Sequence, residues 1–217
     1  MRDAFHEELD AINHTLIEMC QLSGHAMEQA TTALLTADLK LAEEVISDDD
    51  KIDNLYHDLD ARILNLMARQ QPVAGDLRAL VTSIRMSADL ERMGDMAHHV
   101  AKIARMRYPA TAVPLELSLT LQEMGDAAKR IIDKTTHILQ SHDTDAALQL
   151  EKDDDEMDKL HRQLFRILLD DSWPHGNETA IDMTLLGRYY ERCADHAVVV
   201  AGNVYFLVTG EYINSNN

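Results

Sequence analysis

Four pairs of acidic residues are the side chains of this sequence best suited to chemistry. The two members of each pair lie four positions apart. They are Asp49 and Asp53, Glu91 and Asp95, Asp154 and Asp158, and Glu191 and Asp195. On a helix, residues at i and i+4 share a face, so each pair would place two carboxylates side by side. Such neighbours repel and need a proton, an arginine or a metal ion. Because carboxylate oxygens suit hard or borderline cations, the spacing predicts metal binding.

These acids occupy positions that the apolar pattern reserves for packing. One predicted helix has the seam Val45, Asp49, Ile52, Tyr56 and Leu59, and a later one has Leu150, Asp154, Met157, His161 and Leu164. Three histidines beside the acidic motifs are further candidate ligands: His98, His99 and His196. The alternative is a solvated groove in which Arg92 and Arg192 balance the carboxylates.

Long helices are the elements that must position these side chains. Apolar residues at alternating spacings of three and four mark the first helix, which is expected to continue to about Ala37. Asp38 is the predicted N-cap of the second helix, and the turn QQPVAGD around Pro72 ends it. A third helix is predicted from about Ala74 to Met106.

The second half of the chain repeats the first. The run Asp48 to Leu55 matches Asp153 to Leu160, and Leu90 to Asp95 matches Tyr190 to Asp195 in the same order. The two prolines of YPATAVP mark the linker between the halves. The sequence therefore predicts an all-α fold of six helices, arranged as two tandem three-helix bundles at 1–108 and 114–217 with a linker at 109–113. Breaks within the second half are expected near 141–144 and 172–177.

Charge and composition exclude several classes of protein. The net charge of −18 opposes binding to nucleic acid. The apolar stretch from Ala197 to Val208 is too short to span a bilayer. The opening residues MRDAFHEELD do not resemble an export signal, and Cys20 and Cys193 form neither a metal motif nor a disulfide framework. A cytoplasmic location is expected.

Four segments resemble the PhoU family of phosphate-transport accessory and regulatory proteins. In order, they are AEEVISDDDKID, QQPVAGDLR, DLERMGDMAHHVAKIA and RYYERCADHAVVVAGNVYFLVTGEY. The resemblance covers nearly the whole chain, in both repeats. The family's acidic motif matches the eight carboxylates of the four pairs. Many members have Asn four residues beyond the last Asp of the motif, where this chain has His99 and Val199.

The resemblance implies a cytoplasmic, non-enzymatic regulator of phosphate uptake that binds metal ions and forms a homodimer. The metal would be iron, zinc, manganese or magnesium. The partners implied are the ATPase subunit of the high-affinity phosphate transporter and a sensor histidine kinase, so contact with the membrane would be indirect. Such a regulator keeps the phosphate-starvation response, the Pho regulon, switched off when phosphate is plentiful.

Two other functions compete with this interpretation. A carboxylate-bridged dimetal enzyme would need Glu-x-x-His on two helices. The sequence has no such motif, and Asp95 to His98 is its nearest approach. A metal-buffering helical bundle would need only the acidic motifs, so it stays open on the residues alone.

Overall fold

The computed structural model describes residues 2–213, with the side chains of residues 2–4, 151 and 153 outside the description. The first half consists of α1 (Arg2–Thr36), α2 (Leu39–Gln70) and α3 (Gly75–Arg107). A 3₁₀ turn (Leu115–Leu117) leads into the second half, which contains α4 (Ser118–Ser141), α5 (Thr144–Asp153), α6 (Asp155–Leu168) and α7 (Gly176–Thr209). The all-α prediction is confirmed.

The caps of α2 lie where the sequence places them. The carboxylate of Asp38 accepts a hydrogen bond from the backbone N–H of Leu41 at 3.0 Å, which satisfies a free donor of the first turn. At the other end, Gln71 adopts a left-handed conformation with φ of 46°, directly before Pro72. Proline cannot continue the helix, so the chain reverses here into α3.

The fifth predicted helix is divided at Asp154 into α5 and α6. In α2 the corresponding run of three aspartates stays helical, and there Lys51 forms an ion pair with Asp48 at 2.8 Å. The residue that corresponds to Lys51 in the second repeat is Glu156, and the lysine of that run, Lys152, stands before the aspartates instead of after them. A new helix start also suits the acidic run, because the first turn of a helix favours negative charge.

The two halves share one hydrophobic core. Helices α1 and α4 pack together, as do α3 and α7, so that equivalent helices of the two repeats meet in the centre. On one side, α2 covers α1 and α3, and on the other, α5 and α6 cover α4 and α7. This arrangement confirms six helices in two three-helix units, with the fifth helix interrupted. The proposed limits of the units at 108 and 114 stay a prediction.

Polar contacts across the centre connect the two halves. The hydroxyl groups of Thr31 on α1 and Tyr190 on α7 lie 2.9 Å apart in the core. At one end, Arg107 of α3 donates to the buried carboxylate of Asp182 on α7 and also contacts Glu178.

Within residues 2–213, no helix combines the length and the apolar character needed to cross a lipid bilayer.

The close approach of α1 and α4 generates a stability prediction. A Cβ atom added at Gly125 would lie 2.6 Å from Cγ2 of Thr31, whose hydroxyl group is held by Met27 and Tyr190. Gly125→Ala should therefore lower the free energy of unfolding by about 1–3 kcal/mol through overpacking. Chemical denaturation at fixed pH measures the loss.

Gly75→Ala is the matched control, because a Cβ atom there would lie more than 4 Å from the atoms of the other described residues outside its own helix turn. It should change the free energy of unfolding by no more than about 0.5 kcal/mol. Equal stability of the two variants would contradict the tight contact between α1 and α4.

Candidate metal centres

The structure brings the predicted carboxylates together in two groups of four. The first acidic cluster consists of Asp49 and Asp53 of α2 with Glu91 and Asp95 of α3. The second acidic cluster consists of Asp154, at the junction of α5 and α6, with Asp158 of α6 and Glu191 and Asp195 of α7. Each cluster lies within one repeat, where an outer helix packs on a central one.

In the first acidic cluster, burial and like charge act in the same direction. Burial raises the pKa of Asp53, and the nearby carboxylates of Asp49 and Asp95 raise it further. The pKa of Glu91 is also raised, by burial and then by Asp95. Both effects disfavour the ionised form, so this interface stores electrostatic repulsion that a bound cation would relieve.

The second acidic cluster shows the same effects more strongly. Burial, followed by the charges of Asp195 and Asp158, raises the pKa of Asp154 to about 6. Among the described side chains, the Oδ1 atom of Asp154 is buried and finds no hydrogen-bond partner. Burial also raises the pKa values of Glu191 and Asp195. A buried carboxylate oxygen that has no hydrogen-bond partner and lies among other acids is stabilised by a proton or by a bound cation.

Arginines supply part of the balance. Arg92 donates to Oδ2 of Asp95 at 2.9 Å and lies 3.5 Å from Oε2 of Glu91, which confirms the balancing role expected for Arg92. In the second cluster the ion pair with Glu191 is formed by Arg188. Arg192, the residue expected from the sequence, acts on Asp195 only as a nearby charge. Arg188 lies three residues before Glu191, on the same face of the helix, so it reaches that carboxylate.

The three candidate histidines have different surroundings. Nδ1 of His98 contacts Oδ2 of Asp49 in the first cluster. Nδ1 of His99 lies 2.6 Å from the backbone oxygen of Asp95. His196 pairs with Asp89 at 2.9 Å across the α3–α7 interface. Of the three, His98 contacts the side chain of a predicted ligand.

His161 is a further candidate ligand, at a position that the sequence assigns to the packing seam of its helix. It lies on α6 against Gly187 of α7, where an added Cβ atom would be 3.2 Å from its Cδ2 atom. Burial, and then the charge of Arg188, lower its pKa, whereas Asp158 and Asp195 act in the opposite direction. The signal in the sequence is its spacing of three residues from Asp158, which puts both on one face of α6.

Glycines allow the outer helices to approach closely at both clusters. A Cβ atom at Gly94 of α3 would lie 2.9 Å from Cδ1 of Ile52 and 3.3 Å from Oδ1 of Asp49. Gly187 of α7 plays the corresponding part, with Leu164 at 2.8 Å. These contacts hold the carboxylates and His161 at the helix interfaces rather than in open solvent.

The donor set fits a metal ion in its chemistry. Each cluster offers four carboxylates and a nearby imidazole, which suit hard and borderline cations. Within the described part of the chain, no three acidic, histidine or cysteine side chains are already gathered around one point. The carboxylates now paired with Arg92 and Arg188 would therefore have to turn toward an incoming ion.

The cysteines take no part in either cluster. Cys20 and Cys193 are both fully buried. Burial raises the pKa of Cys20 to about 12 and raises that of Cys193 as well. Because the thiolate is the nucleophile and the metal ligand, neither thiol is suited to such chemistry at neutral pH.

Comparison with known proteins gives a consistent result along the chain. The PhoU domain family matches residues 16–104 and again residues 121–204. The "Phosphate-specific transport system accessory protein PhoU homolog 2" of Mycobacterium tuberculosis is 51% identical over 212 residues, covering 98% of this chain and 100% of the relative. PhoU homolog 1 of Mycobacterium leprae is 48% identical, covering 98% of this chain and 96% of the relative.

A solved structure shows the same fold. The crystal structure of PhoU from Pseudomonas aeruginosa matches with a TM-score of 0.84 at 27% sequence identity. The match covers 95% of this chain and 100% of that protein.

The raised pKa of Asp154 generates a prediction about pH. Between its ordinary value of 3.8 and about 6, the folded protein holds a proton that the unfolded chain releases, so stability falls as pH rises through this window. Asp154→Asn should remove this dependence and raise the free energy of unfolding at pH 7.5 by about 1 kcal/mol, after allowance for solvent screening. Denaturant titrations from pH 4 to 8 with a chelator present measure both effects.

Asp58→Asn is the control for the change in net charge, because Asp58 is exposed and outside both clusters. It should leave the pH profile of the wild type unchanged. If the free energy of unfolding of Asp154→Asn still falls steeply as pH rises, groups other than Asp154 hold the proton in the folded protein.

Proposed function

The chain belongs to the PhoU family, and we propose that it is a non-enzymatic regulator of phosphate uptake that silences the phosphate-starvation response when phosphate is plentiful. The observation that carries this proposal is the 51% identity to a phosphate-transport accessory protein over 98% of the chain. Both repeats with their acidic motifs fall within that match. The similarity thus includes the parts of the molecule that would carry the function.

The proposed partners are the ATPase subunit of the phosphate transporter and a sensor histidine kinase. The relatives are named as accessory proteins of a phosphate-specific transport system, which supports the first partner. The net charge of −18 opposes direct binding to anionic lipid, so we place the contact with the membrane at the transporter. The protein would act in the cytoplasm as a homodimer, which light scattering on the purified chain can test.

We further propose that the two acidic clusters bind metal ions, with Asp49, Asp53, Glu91 and Asp95 as ligands in the first. Asp154, Asp158, Glu191 and Asp195 would be the ligands in the second. A bound cation would neutralise the carboxylates and tie each outer helix to a central one. The Oδ1 atom of Asp154, which has no hydrogen-bond partner within the described part of the chain, supports this role, because a buried acceptor without a partner destabilises the protein. A metal-buffering function rests on the same clusters and is the second candidate.

The regulatory proposal is tested in cells. Deletion of the gene from a strain with no other member of this family should derepress a phosphatase reporter in phosphate-rich medium. The gene supplied in trans should restore silence, because the regulator would again hold the kinase inactive. Equal reporter expression with and without the gene would contradict the regulatory role and favour metal buffering.

The metal proposal is tested on the purified protein. Asp49→Asn with Glu91→Gln should remove the metal of the first cluster. The metal of the second cluster should remain, because in the described structure α2 packs on α1 and α3 and not on the helices that carry the second cluster. Asp154→Asn with Glu191→Gln should do the reverse. Metal content is measured by mass spectrometry after equilibrium dialysis.

A matched control makes the same change of charge elsewhere on α2. Glu44→Gln with Asp48→Asn removes two exposed acids that pair with Lys40 and Lys51. This variant should keep the metal content of the wild type. Unchanged stoichiometry in both cluster variants would count against the ligand assignment.

A further inference from the structure

An apolar groove lies between the end of α6 and the start of α7. Its volume is about 450 Å³, and mainly apolar side chains line it, among them Phe165, Leu168 and Ala180. Two of the lining residues extend into solvent, since Leu169 is 79% exposed and Ile181 is 59% exposed. Exposed apolar side chains beside an apolar hollow are typical of a surface that another protein surface covers. We call this surface the α6–α7 groove.

The first repeat exposes apolar side chains at the same two positions. Leu64 corresponds to Leu169, and Val81 corresponds to Ile181. Both are exposed on the surface of the first repeat. Apolar character alone therefore does not distinguish the two repeats, and the surrounding charges have to be compared.

The charges beside the α6–α7 groove differ between its two ends. On α6, Arg166 lies one helical turn before Leu169, toward the second acidic cluster, and Asp171 follows Leu169 in the turn. The α7 side has the same order, with Glu178 near the turn and Arg188 toward the cluster. The groove is thus negative at the end next to the turn and positive at the other end.

Two of these charges are available to a partner. Glu178 and Arg188 already form ion pairs within the chain. Arg166 and Asp171 are exposed, and neither has an ion-pair partner among the described residues. An interface that covers the groove can therefore use both of them without breaking an existing pair.

The first repeat lacks these two charges. Ala61 stands where the second repeat has Arg166, and Leu66 stands where it has Asp171. Of the two equivalent surfaces, only the α6–α7 groove combines exposed apolar residues with free charges of opposite sign at its ends.

A surface with opposite charges at its two ends is complementary to itself. A two-fold rotation about an axis through the middle of the groove places the positive end of one copy on the negative end of the other. The same rotation brings the protruding Leu169 and Ile181 of one copy to the apolar lining of the other. Apolar contacts in the centre and charge pairs at the rim are the usual composition of a protein interface.

We propose that the α6–α7 groove of one copy packs on the same groove of a second copy of this chain, with Arg166 of each copy paired with Asp171 of the other. This inference names the interface of the homodimer proposed above and rests on that proposal. Eight residues line the groove, fewer than the roughly 20–30 residues per side of a standard interface. Dimerisation is therefore expected to be reversible and to depend on concentration.

The apolar contact is tested by sedimentation velocity of the full chain over a wide range of concentration, with a chelator present. Ile181→Glu should raise the dissociation constant of the dimer by at least about tenfold, because it places a charge in the centre of the interface. Val81→Glu is the matched control, since it makes the same change at the equivalent position of the first repeat. It should dimerise as the wild type does. Circular dichroism checks that both variants fold.

An exchange of charges tests the pairing across the two-fold axis. Arg166→Asp and Asp171→Arg should each raise the dissociation constant by about three- to tenfold, because like charges then face one another. Both substitutions in one chain should restore the dimer, since the two ends of the groove are again opposite in charge.

The outcomes separate this interface from the homodimer itself. A dimer that Ile181→Glu and the single charge variants leave intact overturns the interface, while the homodimer stands. Dissociation by Val81→Glu instead of Ile181→Glu also overturns it and assigns the contact to the first repeat. If the double charge variant does not recover, the pairing of Arg166 with Asp171 is wrong. A wild type that stays monomeric at every concentration overturns both the interface and the homodimer, and the reporter experiment then tests the regulatory role alone.

Discussion

Repulsion between carboxylates at two helix interfaces is the constraint on which the rest of this structure depends. Each cluster places four acids where an outer helix packs against a central one. The two helices must therefore bury apolar side chains next to charged ones. Gly94 and Gly187 bring the backbones close enough to hold the acids in place. Arg92 and Arg188 offset part of the charge, and the raised pKa of Asp154 indicates that part remains.

The two repeats meet this constraint differently. In the first, Lys51 balances the aspartate run within an unbroken α2. In the second, Glu156 stands in its place and the helix is divided at Asp154. The acidic run then lies in the first turn of α6, where the helix dipole favours it. Duplicated sequence has thus produced two sites with the same carboxylates and unlike surroundings.

Much of the fold could be predicted from the sequence, because long apolar stripes and few turn residues leave helices as the consistent solution. The Asp38 cap and the turn at Pro72 follow from local chemistry and are confirmed. The division at Asp154 could not be read from an acidic run that stays helical in the first repeat. Arg188 and His161 each lie three residues from a cluster acid on the same helix, but charged helix faces offer many such pairs, so the spacing alone did not single them out.

The pairing of α1 with α4 and of α3 with α7 has a further consequence. Equivalent helices meet across the centre, which is the geometry of an isologous interface between two copies of one subunit. The linker after Tyr108 joins the copies, so their association needs no second molecule and does not weaken on dilution. One chain is in this sense a tethered dimer, and each copy has been free to acquire its own substitutions, such as Lys51 against Glu156, while its partner stays covalently attached.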